Sequence, residues 1–280
     1  MFQKSYDGSP TVYLIPTPIG NLEDITLRAI NILKQVDVIF SEDTRVTRLL
    51  LQHLDIQKKL IANHEFNEQE NNLKLLELLN DGKNVGIVTD RGTPIISDPG
   101  YGLVKVAIEN NYNVVGLPGP TALIPALITS GISPSPFLFY GFLNSKESKR
   151  VKELDSLKKE SATLIFYESP HRLEKTLTNI MEILGNRKIS ISREISKKYE
   201  EIIRGNVSDI IDKFANIKGE FVIIVEGNTE SVNYTQISVI EHVNSYIKEG
   251  KSVNDAIKMV AKDRGLNKKE VYNEYHQIKK

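Results

Sequence analysis

A chain of 280 residues holds one large or two medium domains, and an apolar fraction of 40% is enough to build real cores. The absence of cysteine excludes disulfides, thiol catalysis and cysteine metal sites, and no apolar run approaches a membrane span. Formal charge is zero, from 36 basic and 36 acidic residues, which argues against wholesale coating of a nucleic acid. The charge is uneven, however. Segments 144–160, 187–204 and 233–280 carry +2, +3 and +3, so the rest of the chain carries −8. Basic patches are therefore expected in the second half, although any one such run more often means a solvated helix face.

Residues 1–10 are polar, with Gly8 and Pro10, and read as a loose leader without a signal peptide. Strands are predicted at 11–16, 36–40, 59–63, 84–89 and 113–116. The intervening helices follow from apolar period. One starts at Asp24 and buries Leu27, Ile30 and Leu33; a second shows Leu73, Leu75, Leu76, Leu78 and Leu79 before the breaker Asp81-Gly82; a third carries Leu103, Val104, Ala107 and Ile108. Strand–helix alternation predicts a mostly parallel sheet covered on both faces. Around Gly131-Ile-Ser-Pro-Ser-Pro136 the composition shifts to that of a linker. Further strands are predicted at 137–142, 162–167, 189–193 and 220–226, with a helix over 170–184 that has Pro170 in its first turn.

A third unit closes the chain. Ile237, Ile240, Val243 and Ile247 run at helical spacing up to Gly250. Ser252-x-x-Asp255 reads as a capping box before Val253, Ala256, Ile257, Val260 and Ala261, and Gly265 fits a C-cap. Asn267 opens a last helix bearing Val271, Tyr275 and Ile278. Three short helices in this span have the look of a helix-turn-helix bundle, with a packing or dimer element as the equal alternative. The expected organisation is an N-terminal α/β domain over 11–130, a second over 136–228, and a helical extension over 231–280.

Three strands end in Gly/Pro loops: Val12-Tyr-Leu-Ile-Pro-Thr-Pro-Ile-Gly-Asn21, Val85-Gly-Ile-Val-Thr-Asp-Arg-Gly-Thr-Pro-Ile-Ile-Ser-Asp-Pro-Gly100 and Val114-Val-Gly-Leu-Pro-Gly-Pro-Thr-Ala-Leu123. Loops of this kind build small-molecule sites beyond the carboxyl ends of strands, and three can converge on one ligand. None has the spaced glycines of a dinucleotide fingerprint, and no P-loop lysine is present, so a pyrophosphate grip is not expected. No His/Asp/Glu set has metal-ligand spacing, so no catalytic metal is expected.

Seven motifs occur in order: Leu14-Ile-Pro-Thr-Pro-Ile-Gly-Asn-Leu-Glu-Asp-Ile-Thr-Leu-Arg28, Ser41-Glu-Asp-Thr-Arg45, Ile96-Ser-Asp-Pro-Gly-Tyr101, Leu117-Pro-Gly-Pro120, Phe137-Leu-Phe-Tyr-Gly-Phe142, Phe166-Tyr-Glu-Ser-Pro-His-Arg172 and Tyr199-Glu-Glu-Ile-Ile-Arg-Gly205. With them the chain resembles, over nearly its whole length, the ribosomal RNA small subunit methyltransferase I family of the tetrapyrrole-methylase superfamily. The resemblance implies two α/β domains with S-adenosylmethionine in the cleft between them. It also implies methyl transfer to a cytidine ribose 2′-hydroxyl in the decoding region of 16S rRNA, by a cytoplasmic homodimer bound to the small ribosomal subunit and not to a membrane. One departure stands out. Asp90-Arg91-Gly92 occupies a place where the family usually has Asp-Ala-Gly, and Arg91 is expected either to point to solvent, the favoured reading, or to alter the cleft.

Under this reading the cofactor would contact Pro18, Gly20, Asp90, Gly92, Thr93, Pro118, Gly119, Thr121 and Ala122. Asp90, at a strand end, is the stronger candidate than Asp98, which reads as a cap for the next helix. RNA would meet Arg45, His171, Arg172, Lys262 and Lys268. A ribose hydroxyl needs its proton removed, and no single base is named; the candidates are Glu42, Asp43, His64, Arg193 and Glu194. Each has a plainer reading: Asp43 as a helix N-cap, His64 as a surface residue, Arg193 and Glu194 as a mutual salt bridge, Arg172 as the partner of Glu168, and Tyr199-Glu200-Glu201 as partners of Lys197 and Lys198. Two alternatives are a methyltransferase for a tetrapyrrole or other small molecule, and a non-enzymatic ribosome-assembly protein.

Overall fold

The computed structural model describes residues 3–5, 7–64, 67–214, 218–229 and 237–277. Strands β1 (Thr11–Leu14), β2 (Val38–Ser41), β3 (Lys59–Ala62), β4 (Val85–Val88) and β5 (Asn113–Gly116) form an all-parallel sheet in the order β3-β2-β4-β1-β5. These strands read as continuous apolar runs because both faces are covered. Tyr13, Ile15 and Ile39 pack on one face with Ile32 and Leu33, and Val12, Phe40, Val85 and Ile87 on the other with Leu75, Leu79 and Leu103. The covering helices are α1 (Leu27–Gln35), α2 (Thr44–His53), α3 (Glu68–Asn80) and α4 (Tyr101–Glu109).

Helix boundaries differ from the predicted ones for local reasons. Asp24 ends a short 3-10 turn, and Thr26 caps α1 by accepting the Ala29 N–H at 3.0 Å. The buried face of α1 is thereby Ala29, Ile32 and Leu33, and Leu27 stands 80% exposed. Leu73 likewise faces solvent, because Leu75 and Leu79 with Asn71 form the inner stripe of α3. The leader is tied down. The Gln3 side chain makes both a donor and an acceptor bond to the Val114 backbone, and Asn113 Nδ2 reaches Asp7 Oδ1 and Ser9 Oγ. These bonds occupy the free edge of β5, which would otherwise be open to pairing.

After β5, helix α5 (Leu123–Thr129) crosses to a second sheet and packs Ala126 and Leu127 against Ile165, Val222 and Ile224. That sheet has the order β6-β7-β10-β8-β9, with β6 (Phe137–Phe142), β7 (Thr163–Glu168), β8 (Lys188–Arg193), β9 (Glu201–Asn206) and β10 (Phe221–Val225). β6 and β7 are parallel and the other neighbours antiparallel. Its opposite face is covered by α6 (Glu147–Ser156), α7 (Leu173–Leu184) and the short α8 (Val207–Ile210). β9 escapes prediction because it is a solvated edge whose Glu201, Arg204 and Asn206 mask the strand period. Pro170 precedes α7 by three residues instead of lying in its first turn. The presumed linker is packed: Ile132 is buried, and the Ser133 carbonyl accepts the Thr163 hydroxyl at 2.6 Å. Both sheets belong to one compact unit, Met1–Asn228.

The second unit, Thr229–Lys280, holds α9 (Val239–Lys248), α10 (Val253–Arg264) and α11 (Lys268–Gln277) around Val243, Ile257, Val260 and Val271. Ser252 caps α10 by accepting the Asp255 N–H, and Gly265 closes it in the left-handed conformation. The full reciprocal capping box lies one helix earlier, between Ser238 and Glu241. Ile278 lies outside the described residues. Among the described residues no helix is long and apolar enough to cross a membrane.

Candidate functional site

In the parallel sheet the carboxyl ends of β1, β2, β4 and β5 deliver the loops that the sequence singles out, the arrangement by which open α/β sheets bind ligands. The loops are cross-braced. Thr17 and Gly92 exchange both backbone hydrogen bonds, at 2.9 and 3.0 Å, and Thr93 Oγ1 donates to the Pro120 carbonyl at 3.0 Å. Gly92, at φ +84°, supplies the turn that makes this bridge possible.

A cavity of about 400 Å³ opens between these loops and the second sheet. Its floor and walls are apolar, with Ile96, Phe142, Tyr167, Phe221 and Val222 prominent. Thr93, Ser97, Thr121 and Ser169 add hydroxyls. A wider groove of about 760 Å³ adjoins it along the loop of Pro118, Gly119 and Pro120, with Ile19, Thr93, Thr121 and Ile195 common to both. Two walls share one backbone device. Ile96 lies between Ile95 and Ser97, at φ +76° and +68°, and Ile195 between Glu194 and Ser196, at +51° and +68°. Left-handed backbone is costly for such side chains, above all for β-branched Ile95, and strain of this kind gathers at ligand sites.

Three carboxylates line the cavity: Asp98, Glu168 and Glu220. Glu168 is fully engaged, accepting from Thr176 Oγ1 at 2.6 Å and the Ser169 N–H at 2.8 Å and pairing with Arg172 at 3.2 Å. Glu220 pairs with Arg91 across the cavity and with Lys197 at 2.9 Å. Arg91 is exposed and at the same time links the two sheets by this ion pair, so it both faces solvent and lines the cleft. Asp98 faces other acids. Burial, then the charge of Glu42, pushes its carboxyl up to about 6. Behind it, Glu42 accepts the Thr89 hydroxyl at 2.7 Å, and Asp90 accepts the Asp43 N–H at 3.0 Å. Burial and the neighbouring acids also raise Asp90 above the ordinary carboxylate range. Burial raises the Tyr167 phenol.

Of the sequence candidates, Gly92, Thr93, Thr121 and Ala122 lie on the cavity, and Pro118 and Gly119 on the groove. Pro18, Gly20, Glu42 and Asp90 are off both walls, with Gly20 packed against the Lys197 side chain. Asp43 caps α2 and holds Arg45 through its guanidinium, which lowers the Asp43 carboxyl to about 2. Arg193 pairs with Glu201 and Glu194 with Lys197, so the proposed Arg193–Glu194 bridge is absent, and Glu200 accepts the Ser196 N–H instead of pairing with lysine. His64 and His171 are exposed and outside both walls, while Arg172, the residue before α7, holds Glu168. Lys262 and Lys268 are exposed on the second unit. The sequence reading ranked Asp98 below Asp90 and left Tyr167 and Phe142 unassigned; α4 is in fact started by Gly100 without a side-chain cap, so Asp98 is not spent on capping. The motifs Ile96-Ser-Asp98 and Phe166-Tyr-Glu168 contained that signal.

Comparison with known proteins agrees with this architecture. The family model of tetrapyrrole (corrin/porphyrin) methylases matches residues 11–211. The chain is 48% identical to ribosomal RNA small subunit methyltransferase I of Bacillus subtilis (strain 168), over 98% of each chain. It is 42% identical to the protein of the same name from Streptococcus pyogenes serotype M18, over 99% of each. Among solved structures, the methyltransferase CobJ superposes with a TM-score of 0.59 at 18% identity, covering 78% of this chain and 95% of that one. The cobalt precorrin-4 methyltransferase CbiF gives 0.56 at 18% identity, covering 77% and 94%. At such identity these two show the shared fold alone.

Proposed function

Because this chain belongs to the tetrapyrrole (corrin/porphyrin) methylase family, we propose that it methylates small-subunit ribosomal RNA, at the 2′-hydroxyl of a cytidine ribose in the decoding region of 16S rRNA. One observation carries the reading. The relatives named for small-subunit rRNA methylation match 98–99% of this chain, including the helical unit beyond residue 211 where the family model ends. The alternative of a tetrapyrrole or other small-molecule substrate has only the fold-level likeness behind it.

S-adenosylmethionine is the methyl donor of this family. The residues present suit it. A 400 Å³ cavity is within the range of small-molecule sites, its aromatic and aliphatic walls suit a flat base, and its hydroxyls suit a ribose. No phosphate-cradling loop is needed for a donor without phosphates. The donor supplies an activated methyl group when bound. Gly92, Thr93, Thr121 and Ala122 would hold it, with Tyr167 and Val222 from the second sheet, and the chain's task is then to position a hydroxyl and remove its proton. The wider groove past Pro118 and Gly119 would admit the nucleotide.

In this reading the protein works in the cytoplasm as a homodimer. Exposed Leu27, Leu49 and Ile128 are apolar surface that a partner copy would cover. The deciding experiment maps 2′-O-methylation at nucleotide resolution on small-subunit RNA from cells with and without the gene. One cytidine methylated only in its presence is the expected result, and identical maps would refute the reading. Sedimentation velocity tests the dimer.

A further inference from the structure

We propose that the outer face of α6, with Lys146, Lys149 and Lys152, is a docking surface for the phosphate backbone of the RNA substrate at the rim of the cavity. This rests on the rRNA-methylation reading above and adds where the RNA is gripped. Segment 144–160 carries six basic and four acidic residues. The three lysines follow one another at intervals of three, a spacing that makes them neighbours on one helix surface, about 4.5 Å apart along the axis. All three are exposed, and none forms an ion pair among the described residues. The acids of the segment are mostly placed elsewhere. Glu153 accepts the Asn144 N–H at 2.7 Å, and Glu160 accepts the Ala162 N–H at 2.8 Å. Glu147 stands in line with buried Arg150 and Leu154, on the side of α6 away from Lys149 and Lys152. Asp155 is then the one acid of the segment near the lysine face.

A buried cation lies beneath this face. Arg150 is 2% exposed, and its partners include no carboxylate: Nε donates to Asn179 Oδ1 at 2.7 Å, and one terminal nitrogen reaches the Asn144 and Ser145 carbonyls at 3.4 Å. Buried charges are ordinarily paired, so this guanidinium adds an unneutralised charge to the field above it. Arg172 donates to the Leu143 carbonyl while it holds Glu168 on the cavity wall. Residues 143–145 are thus fixed by Arg150, Glu153 and Arg172 together, and the lysines start from a rigid base, which lowers the cost of ordering them on a ligand. The cavity is close. Phe142 lines it and is 53% exposed, so this wall reaches the surface. Lys146 follows Phe142 by four residues, at most about 14 Å of chain. An RNA strand that offers one nucleotide to the cleft therefore carries its phosphates past α6, and phosphates are the charge complement of three unpaired ammonium groups.

The test compares wild type, the triple variant Lys146→Gln, Lys149→Gln, Lys152→Gln, and a control of equal charge, Lys34→Gln, Lys59→Gln, Lys105→Gln, whose lysines are exposed on α1, β3 and α4. Each protein is titrated with S-adenosylhomocysteine by calorimetry, and with small subunits and protein-free 16S rRNA over a range of salt. The α6 variant should melt with wild type and bind S-adenosylhomocysteine equally well. Its affinity for both forms of the RNA should fall by about tenfold or more, and its plot of log affinity against log salt should become shallower by about 2–3, as three phosphate contacts require. The control should stay near wild type. Methylation at limiting subunits should slow in step with affinity, and the rate at saturating subunits should hold. Unchanged affinity or slope in the α6 variant overturns the proposal, and so does an equal loss in the control, which would reduce the effect to net charge. A fall in melting temperature or cofactor affinity would make the lysines structural, and a loss confined to intact subunits would give the face a protein partner; either result overturns it. Wild type that neither binds nor methylates the subunit refutes the functional reading itself, and the docking surface falls with it.

Discussion

The backbone N–H of Asp43, at the exit of β2, donates to Asp90 Oδ1, at the exit of β4, at 3.0 Å. One bond thus ties together the two loops that carry Glu42 and Asp98, while Asp90 itself stays off the cavity wall. Asp90→Ala is expected to cost about 1 kcal/mol of stability, the worth of one such bond, and to slow methyl transfer while leaving cofactor affinity nearly unchanged. Calorimetry with single-turnover rates checks this. A large loss of affinity would make Asp90 a direct ligand.

Gly119 is fixed by its neighbour. A Cβ there would stand 2.6 Å from Pro16 Cβ and 2.9 Å from its Cγ, and a proline ring cannot swing aside. Gly119→Val should therefore force the β1 and β5 loops apart, cost about 1–3 kcal/mol and weaken cofactor binding. Gly20→Ala would press on Cγ of Lys197, whose ammonium Glu194 and Glu220 hold in place, so it too should lower the melting temperature. Equal melting temperatures for wild type and Gly119→Val would show that the loops are not held this way.

Arg91→Ala breaks the pair with Glu220, whose two side chains are 55% and 61% exposed. Exposed pairs contribute about 0–1 kcal/mol, so stability and cofactor affinity should barely move, and what change there is should shrink in high salt. Collapse of binding in titrations at two salt concentrations would place Arg91 on the ligand.

His242 is buried in the helical unit, where Arg264 Nε donates to its Nδ1 at 3.2 Å. Burial, then the Arg264 charge, lowers its pKa from 6.5. The unfolded chain then binds the proton more readily than the folded one, so stability should be complete above 6.5 and decline as pH falls below it. Hydrogen exchange of α9 and α10 between pH 5 and 8 follows this directly. His242→Gln should flatten the response, and an unchanged slope would assign the acid sensitivity elsewhere.

Lys262 and Lys268 are exposed on the helical unit, and phosphate contacts from them would be independent of sequence and sensitive to salt. Replacing both with Glu should weaken binding to small-subunit RNA, lower the dependence of log affinity on log salt by about 1–2, and leave cofactor affinity alone. Unaltered RNA binding would make the unit a packing element.

Much of this protein is determined by local pattern. Apolar runs, three of them ending in Gly/Pro loops, located all five strands of the parallel sheet, and helical spacing with Gly250 and Gly265 as stops located the C-terminal helices. These signals survive in the sequence because burial on both faces, or on one stripe, dictates residue type position by position. Tertiary structure alone decided the rest. β9 is invisible locally because an edge strand may be polar on both faces. Leu27 and Leu73 belong to helices but face outward, since where a helix starts and which stripe meets the sheet depend on a cap and on a partner surface. The choice between Asp90 and Asp98 shows the same limit. Both are acids in one loop, eight residues apart, and sequence cannot say which reaches the cavity. The loop turns left-handed at Gly92, Ile95 and Ser97, directs Asp90 to the Asp43 amide and brings Asp98 to the wall beside Tyr167, because side-chain environment is set by segments distant in the chain.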